Sequence, residues 1–183
     1  GQHLHSYPNL DCDTLYSQAK YSCELMVKST QELNPHLKCV NLRLTTLVGQ
    51  NNKENPIDLI SKLVIKTINQ ESIQLIHNHI INRLDVNDAA IGIIKLMENI
   101  QKADRLTYDL ASTNTYTLLE ILELLKQVTI NKNMHHPIID THIDFNDLEY
   151  PTIDLHDFYL LTNWLPSRSI VDSISELFDK FSK

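Results

Sequence analysis

Cys39-Val40-Asn41-Leu42-Arg43-Leu44-Thr45-Thr46-Leu47-Val48-Gly49 is the stretch on which the fold turns. Apolar and polar residues alternate over most of residues 39–44, the period of a strand with one face inward, and the strand should end near Val48-Gly49. Ahead of it, Thr14 to Leu33 has a helical pattern that stops at Asn34-Pro35, because a residue before proline is pushed out of the α region. Beyond it, Pro56 opens a second helix in which Ile57, Ile60, Leu63, Val64 and Ile68 form one apolar stripe. Strands alternating with helices point to an α/β chain with some parallel pairing.

Farther along, residues 73–76 and 80–86 are expected as short strands around His77-Asn78-His79. Asp88 is expected to cap a helix from Ala89 to Ile100. Leu106 to Leu110 reads as another strand. Thr117-Leu118-Leu119-Glu120 fits a capping box, with Leu118, Ile121, Leu122, Leu125 and Val128 on one helical face. Residues 131–155 are expected to be irregular. Ser169 should cap a last helix whose Ile170, Val171, Ile174, Leu177, Phe178 and Phe181 point inward.

The 183 residues, 42% of them hydrophobic, suffice for a buried core. Net charge is -7 and basic residues are scattered, which argues against a nucleic-acid partner. No apolar run approaches the roughly 18 residues of a membrane helix. Cys12, Cys23 and Cys39 are odd in number and form no C-x-x-C, so they are expected as reduced packing residues in a cytoplasmic protein. Gly1 does not look like a natural start, and the chain is expected to begin inside a longer reading frame or after a removed tag.

Tyr16 and Lys20 lie four residues apart, one turn apart on a shared helix face. A free tyrosine, with a pKa of about 10, is a poor proton acceptor at neutral pH. A nearby ammonium favours the phenolate, so the pair can move a proton to or from a substrate hydroxyl. With seven tyrosines in the chain, a lysine four residues on arises by chance about as often as not. The order of the segments after Lys20 carries more weight than the pair.

Tyr16-Ser17-Gln18-Ala19-Lys20 with Cys23-Glu24 and Val27 resembles the Y-x-x-S/A-K helix of the NAD-dependent epimerase/dehydratase family, extended short-chain dehydrogenases/reductases. Leu42-Arg43-Leu44-Thr45-Thr46-Leu47-Val48-Gly49 is similar to its "LRxxNxYG" strand, and Leu84-Asp85-Val86-Asn87-Asp88-Ala89-Ala90 to its "I-x-V-D-D-x-A" helix start. Tyr108-Asp109-Leu110-Ala111-Ser112 through Leu118-Leu119-Glu120-Ile121 resembles "YNIGS…S-x-x-E-I". Asp154, Leu160-Leu161-Thr162-Asn163-Trp164-Leu165-Pro166 and the last helix resemble "D-x-x-K-x-x-x-LGW-x-P".

The resemblance implies the last elements of a Rossmann-type doubly wound sheet (residues 1–55) and, mainly over 56–183, a small α/β substrate-binding domain with some elements returning to that sheet. It implies an NAD- or NADP-dependent sugar or nucleotide-sugar epimerase, dehydratase or reductase of surface-polysaccharide synthesis. Tyr16 would transfer the proton, Lys20 would activate it and contact the cofactor ribose, and Thr45 would lie beside the nicotinamide. Thr46 and Arg83 would contact substrate: Thr46 stands where the family usually has Asn, and Arg83 replaces an arginine whose usual position is Ile81. The Tyr16 helix, with apolar Leu15, Ala19, Met26 and Val27, would serve the core and a homodimer.

The family's glycine-rich phosphate-binding turn is absent from the sequence, as is the catalytic Ser/Thr that precedes its tyrosine; Ser6 is too close. This chain alone is therefore expected to be inactive, part of a longer enzyme or a non-catalytic module. His77/His79 and His135/His136 lack a third ligand of matching spacing and are expected to be solvated, with no metal. His3 and His5 are expected on a surface loop, and Trp164 as a core anchor.

Overall fold

The computed structural model describes residues 15–49, 54, 56, 58–144 and 153–182, the backbone alone for 141–144. The loop expected over residues 1–13, with His3, His5, Ser6 and Cys12, lies outside the described residues, as does Ile57. The chain forms α1 (Leu15–Leu33), β1 (Asn41–Leu44), β2 (Thr46–Val48), α2 (Leu59–Ile68), β3 (Ser72–His77), β4 (Ile80–Asp85) and α3 (Val86–Asn99). After one 3-10 turn come β5 (Thr107–Leu110), β6 (Thr115–Thr117), α4 (Leu118–Asn131), β7 (Ile138–Asp144), α5 (His156–Thr162) and α6 (Ile170–Phe181).

Most helix boundaries reflect local hydrogen bonding. Asp58 caps α2 by accepting from the Ser61 amide at 2.9 Å. Thr117 and Glu120 close a capping box on α4, and Ser169 and Asp172 close another on α6. The chain leaves α5 through Asn163 in the left-handed region, at φ 50°.

Parallel pairing dominates, as the alternation of elements implied. β1 pairs with β5, β2 with β4 and β3 with β7, all parallel, while β6 joins β4 antiparallel. Two hydrophobic cores result. One gathers Val48, Ile60, Val64, Leu75, Ile121, Leu125, Ile174 and Phe178 from β2, β3, α2, α4 and α6. The other joins Leu84, Ala89, Leu96, Tyr108, Leu110 and Phe158, with Leu42, Leu44 and Trp164 packed against it. β4 serves both, sending Ile81 into the first and Leu84 into the second. Each buried aliphatic or aromatic side chain contributes roughly 1.5–3 kcal/mol.

Several expectations are corrected. The segment read as one strand ending near Val48 is two, β1 and β2, in different sheets with Thr45 between them. α2 starts at Leu59 behind its Asp58 cap rather than at Pro56. Val171, expected to point inward, is 37% exposed. The stretch read as irregular contains β7, whose Ile138 is 51% exposed. The β-branched residues Ile139, Thr141 and Ile143 alternate with polar ones, a strand period that the sequence reading passed over, and pairing with the distant β3 holds the segment in place. Asp88 does not cap α3: Asp85 does, accepting from the Asn87 amide at 2.8 Å, and the helix begins at Val86. Asp88 turns inward instead, 2% exposed, and accepts from the Ser167 and Arg168 amides at 2.8 and 2.7 Å. Finally, no residue of α1 is buried, so the core role given to its apolar face is not filled; Leu15 and Met26 are 85% and 69% exposed. Cys23 is likewise exposed rather than packed, and Cys39 is half-buried; both are free thiols.

Candidate active site

On α1, Tyr16 and Lys20 meet as their spacing requires: the Lys20 ammonium lies 5.6 Å from the centroid of the Tyr16 ring. Both side chains are exposed. Tyr108 and Tyr116 are buried or half-buried and less suited to proton transfer. Burial pushes the Tyr108 phenol above its ordinary range, and burial, with the Glu120 charge second, does the same at Tyr116.

α1 is joined to the sheet by charge. Arg43 on β1 donates from Nε to Glu24 Oε1 at 2.8 Å and from Nη2 to Oε2 at 2.7 Å. The alternation along β1 explains the placement. Leu42 and Leu44 pack against the second core, which leaves Arg43 on the opposite face, toward Glu24. Gln31 adds a second tie by accepting from the Cys39 amide at 3.0 Å.

Thr45 lies between β1 and β2, just past the carboxyl end of β1, where its amide donates to the Leu110 carbonyl at 3.2 Å. It is 3% exposed, and its hydroxyl has no hydrogen-bond partner among the described residues. Thr46 and Arg83 are paired across the β2–β4 ladder. Arg83 donates from Nη1 to the Asn82 carbonyl at 3.1 Å. Asn82 is buried and shapes the turn after β5: its amide group donates to the Ser112 and Asn114 carbonyls at 2.9 and 3.1 Å, and its Oδ1 accepts from the Ser112 amide at 3.0 Å.

The five sequence-predicted residues therefore form two pairs, Tyr16 with Lys20 and Thr46 with Arg83, with Thr45 beside the second. Neither Tyr16 nor Lys20 hydrogen-bonds to Thr45, Thr46 or Arg83 among the described residues. Thr45 and the Ala111-Ser112 turn sit just past the carboxyl ends of adjacent parallel strands, the edge at which open α/β sheets bind ligands.

Sequence reading missed three groups: the Glu24–Arg43 pair, Asn82, and a buried cluster around Asp85. In that cluster Asp85 accepts from Ser173 Oγ at 2.7 Å and lies 3.1 Å from Arg168 Nε, while Arg168 also bonds Glu176. An arginine inside a short strand and a glutamate one turn past Lys20 were the available signals for the first. Asn78 and His136 have local roles: Asn78 accepts from the Leu119 amide at 2.9 Å, and His136 Nδ1 lies 3.1 Å from Thr129 Oγ1. Trp164 packs edge-on against Phe158, ring centroids 6.3 Å apart. Among the described residues no three His, Cys, Asp or Glu side chains are grouped as metal ligands. No described helix is long and apolar enough to cross a membrane.

The sequence model of the NAD dependent epimerase/dehydratase family matches residues 4–111. The chain belongs to that family. No curated protein matches the sequence. Solved structures of epimerases and dehydratases share the fold. UDP-glucose 4-epimerase from Thermotoga maritima, solved with UDP-glucose, superposes with a TM-score of 0.73 at 18% identity over 92% of this chain and 54% of its own. dTDP-glucose 4,6-dehydratase from Bacillus anthracis, solved with NAD, gives 0.72 at 16% identity over 92% of this chain and 52% of its own. RMD from Pseudomonas aeruginosa, solved with NADPH, gives 0.72 at 14% identity over 91% and 55%. This member of the family thus has the Rossmann-like α/β fold, and it spans about half the length of the solved structures it matches.

Proposed function

We propose that these residues form the acid/base half of an NAD(P)-dependent enzyme that epimerises, dehydrates or reduces a sugar, most simply one linked to a nucleotide. One observation carries the reading: an exposed tyrosine with a lysine ammonium over its ring, on a helix tied to the strand that ends at Thr45. Tyr16 transfers the substrate hydroxyl proton. Lys20 stands beside the phenol and donates to the cofactor ribose. The buried Thr45 hydroxyl, with its hydrogen-bonding capacity unspent among the described residues, fits a polar neighbour of the nicotinamide. Bound NAD(P) supplies the hydride acceptor or donor. Thr46 and Arg83, side by side on their ladder, hold the substrate, with the guanidinium suited to a phosphate.

The chain's span supports assigning residues 1–55 to the end of a Rossmann domain and 56–183 mainly to a substrate domain, with α3 and β5 returning to the Rossmann sheet. Among the described residues β1 pairs with β5 alone, which leaves an edge on which that sheet can continue. Turnover requires the glycine-rich turn these 183 residues lack. The exposed apolar residues of α1 suit a homodimer, and the same reading assigns the protein to the cytoplasm and to polysaccharide synthesis.

The test is Tyr16→Phe in the full-length protein, assayed for hydride transfer with NAD and NADP against a panel of nucleotide sugars. Loss of general acid/base catalysis should lower kcat by about 10²–10⁴-fold, with the thermal midpoint unchanged. Turnover retained in Tyr16→Phe overturns the assignment, and a non-catalytic module then becomes the better reading.

A further inference from the structure

Among the described residues, no buried side chain fixes the roll of α1 about its own axis. None of its residues is buried, and Leu15, Leu25, Met26 and Leu33 are 85%, 46%, 69% and 82% exposed. The half-buried fork between Arg43 and Glu24 does constrain that roll, with side chains only 18% and 20% exposed. Two parallel N–H donors on one carboxylate fix direction as well as distance. Glu24 lies one turn beyond Lys20 and two turns beyond Tyr16, and Arg43 lies two residues before Thr45. Two rigid segments, a helix and a strand, thus connect the fork to the proton-transfer pair on one side and to Thr45 on the other.

We infer that the Glu24–Arg43 pair is a positioning device, setting the roll of α1 so that Tyr16 and Lys20 are aimed relative to the strand end at Thr45. The inference rests on the function proposed above. Side-chain tips stand about 5–6 Å from a helix axis, so a roll of about 10° moves them by roughly 1 Å. A misplacement of 1 Å costs on the order of 10²-fold in rate. The Gln31–Cys39 bond holds the far end of α1.

The experiment uses the full-length protein and compares Glu24→Gln, Arg43→Lys and Tyr16→Phe, each alone, and Glu24→Gln combined with Tyr16→Phe. Arg43→Lys keeps the charge but not the fork. The first two should lower kcat at least 10-fold with the sugar-substrate KM within about 2-fold, and should move the limb of the kcat–pH profile that reports the proton-transfer group. Because the pair acts through Tyr16, Glu24→Gln should cost nothing further in the Tyr16→Phe background. Full activity in Arg43→Lys and Glu24→Gln, beside an inactive Tyr16→Phe, overturns the positioning role alone. So does an equal loss from Glu24→Gln in both backgrounds, or a rise in KM without a fall in kcat. Full activity in Tyr16→Phe overturns the functional reading instead. If Glu24→Gln does not fold, Arg43→Lys decides by the same kcat, KM and pH readouts.

Discussion

Asp88→Ala removes a carboxylate that is 2% exposed and accepts two backbone amides, those of Ser167 at 2.8 Å and Arg168 at 2.7 Å. Both bonds land on Oδ2, which pins the segment between α5 and α6 to the first turn of α3. A hydrogen bond to a charged group contributes roughly 1.5–3 kcal/mol, and an amide left unsatisfied costs a further share of that. Ser167 is exposed, so water can reach its amide and recover part of the loss. The carboxylate also favours the helix N-terminus by about 0.3–1 kcal/mol. The net effect is a destabilisation of about 2–4 kcal/mol for alanine. Asp88→Asn keeps an oxygen where both amides point and loses mainly the charge, for about 1 kcal/mol or less. At about 2–4 °C per kcal/mol for a chain of this size, alanine should lower Tm by roughly 5–15 °C and asparagine by about 4 °C or less. Urea unfolding and thermal melts followed by circular dichroism measure both. Asparagine as damaging as alanine would show that charge, not the two hydrogen bonds, holds the segment. An alanine cost under about 0.5 kcal/mol would refute the clamp itself.

Packing and capping give two further outcomes. In Gly92→Ala the new Cβ would stand 2.5 Å from Leu110 Cδ2 and 3.1 Å from Trp164 Cζ3. Overpacking of about 1–3 kcal/mol should outweigh the helix-propensity gain of about 1 kcal/mol; a higher Tm, or an unchanged Trp164 emission, would contradict this. At α6, the Ser169 hydroxyl first, and then its amide, hold the Asp172 carboxyl below its ordinary value of 3.8. A depressed carboxylate adds stability above its unfolded pKa and loses it as pH falls through the folded one. Ser169→Ala should therefore cost about 1 kcal/mol near neutrality. The gap from the parent should narrow below the ordinary carboxylate range, and a gap constant down to acid unfolding would count against the box.

Legibility along this chain tracks the reach of each interaction. The capping box at Thr117 and the cap at Ser169 were readable because donor and acceptor lie three residues apart, and the stop at Asn34-Pro35 because proline acts on its neighbour. Tyr16 and Lys20 were readable as a pair because one helical turn joins them. Asp85 and Asp88 show where such reading stops. Either aspartate has the chemistry of a cap, and the choice falls to Asp85 because residues some eighty positions later supply amides that draw Asp88 inward. β7 was missed although Ile139, Thr141 and Ile143 alternate with polar residues; only its pairing with β3, in another part of the chain, shows that the pattern is used.

By itself the sequence determined helix and strand type over most of the chain, the capped starts of α4 and α6 and the order of blocks that places it in its family. Those properties rest on periodicities and hydrogen bonds spanning a few residues. The tertiary structure alone decided that β4 feeds two cores, that Thr46 and Arg83 share a rung, and that Glu24 and Arg43 tie α1 to the sheet. Each of these depends on which distant segments lie side by side. Chain path and burial set that, and no residue spacing encodes it.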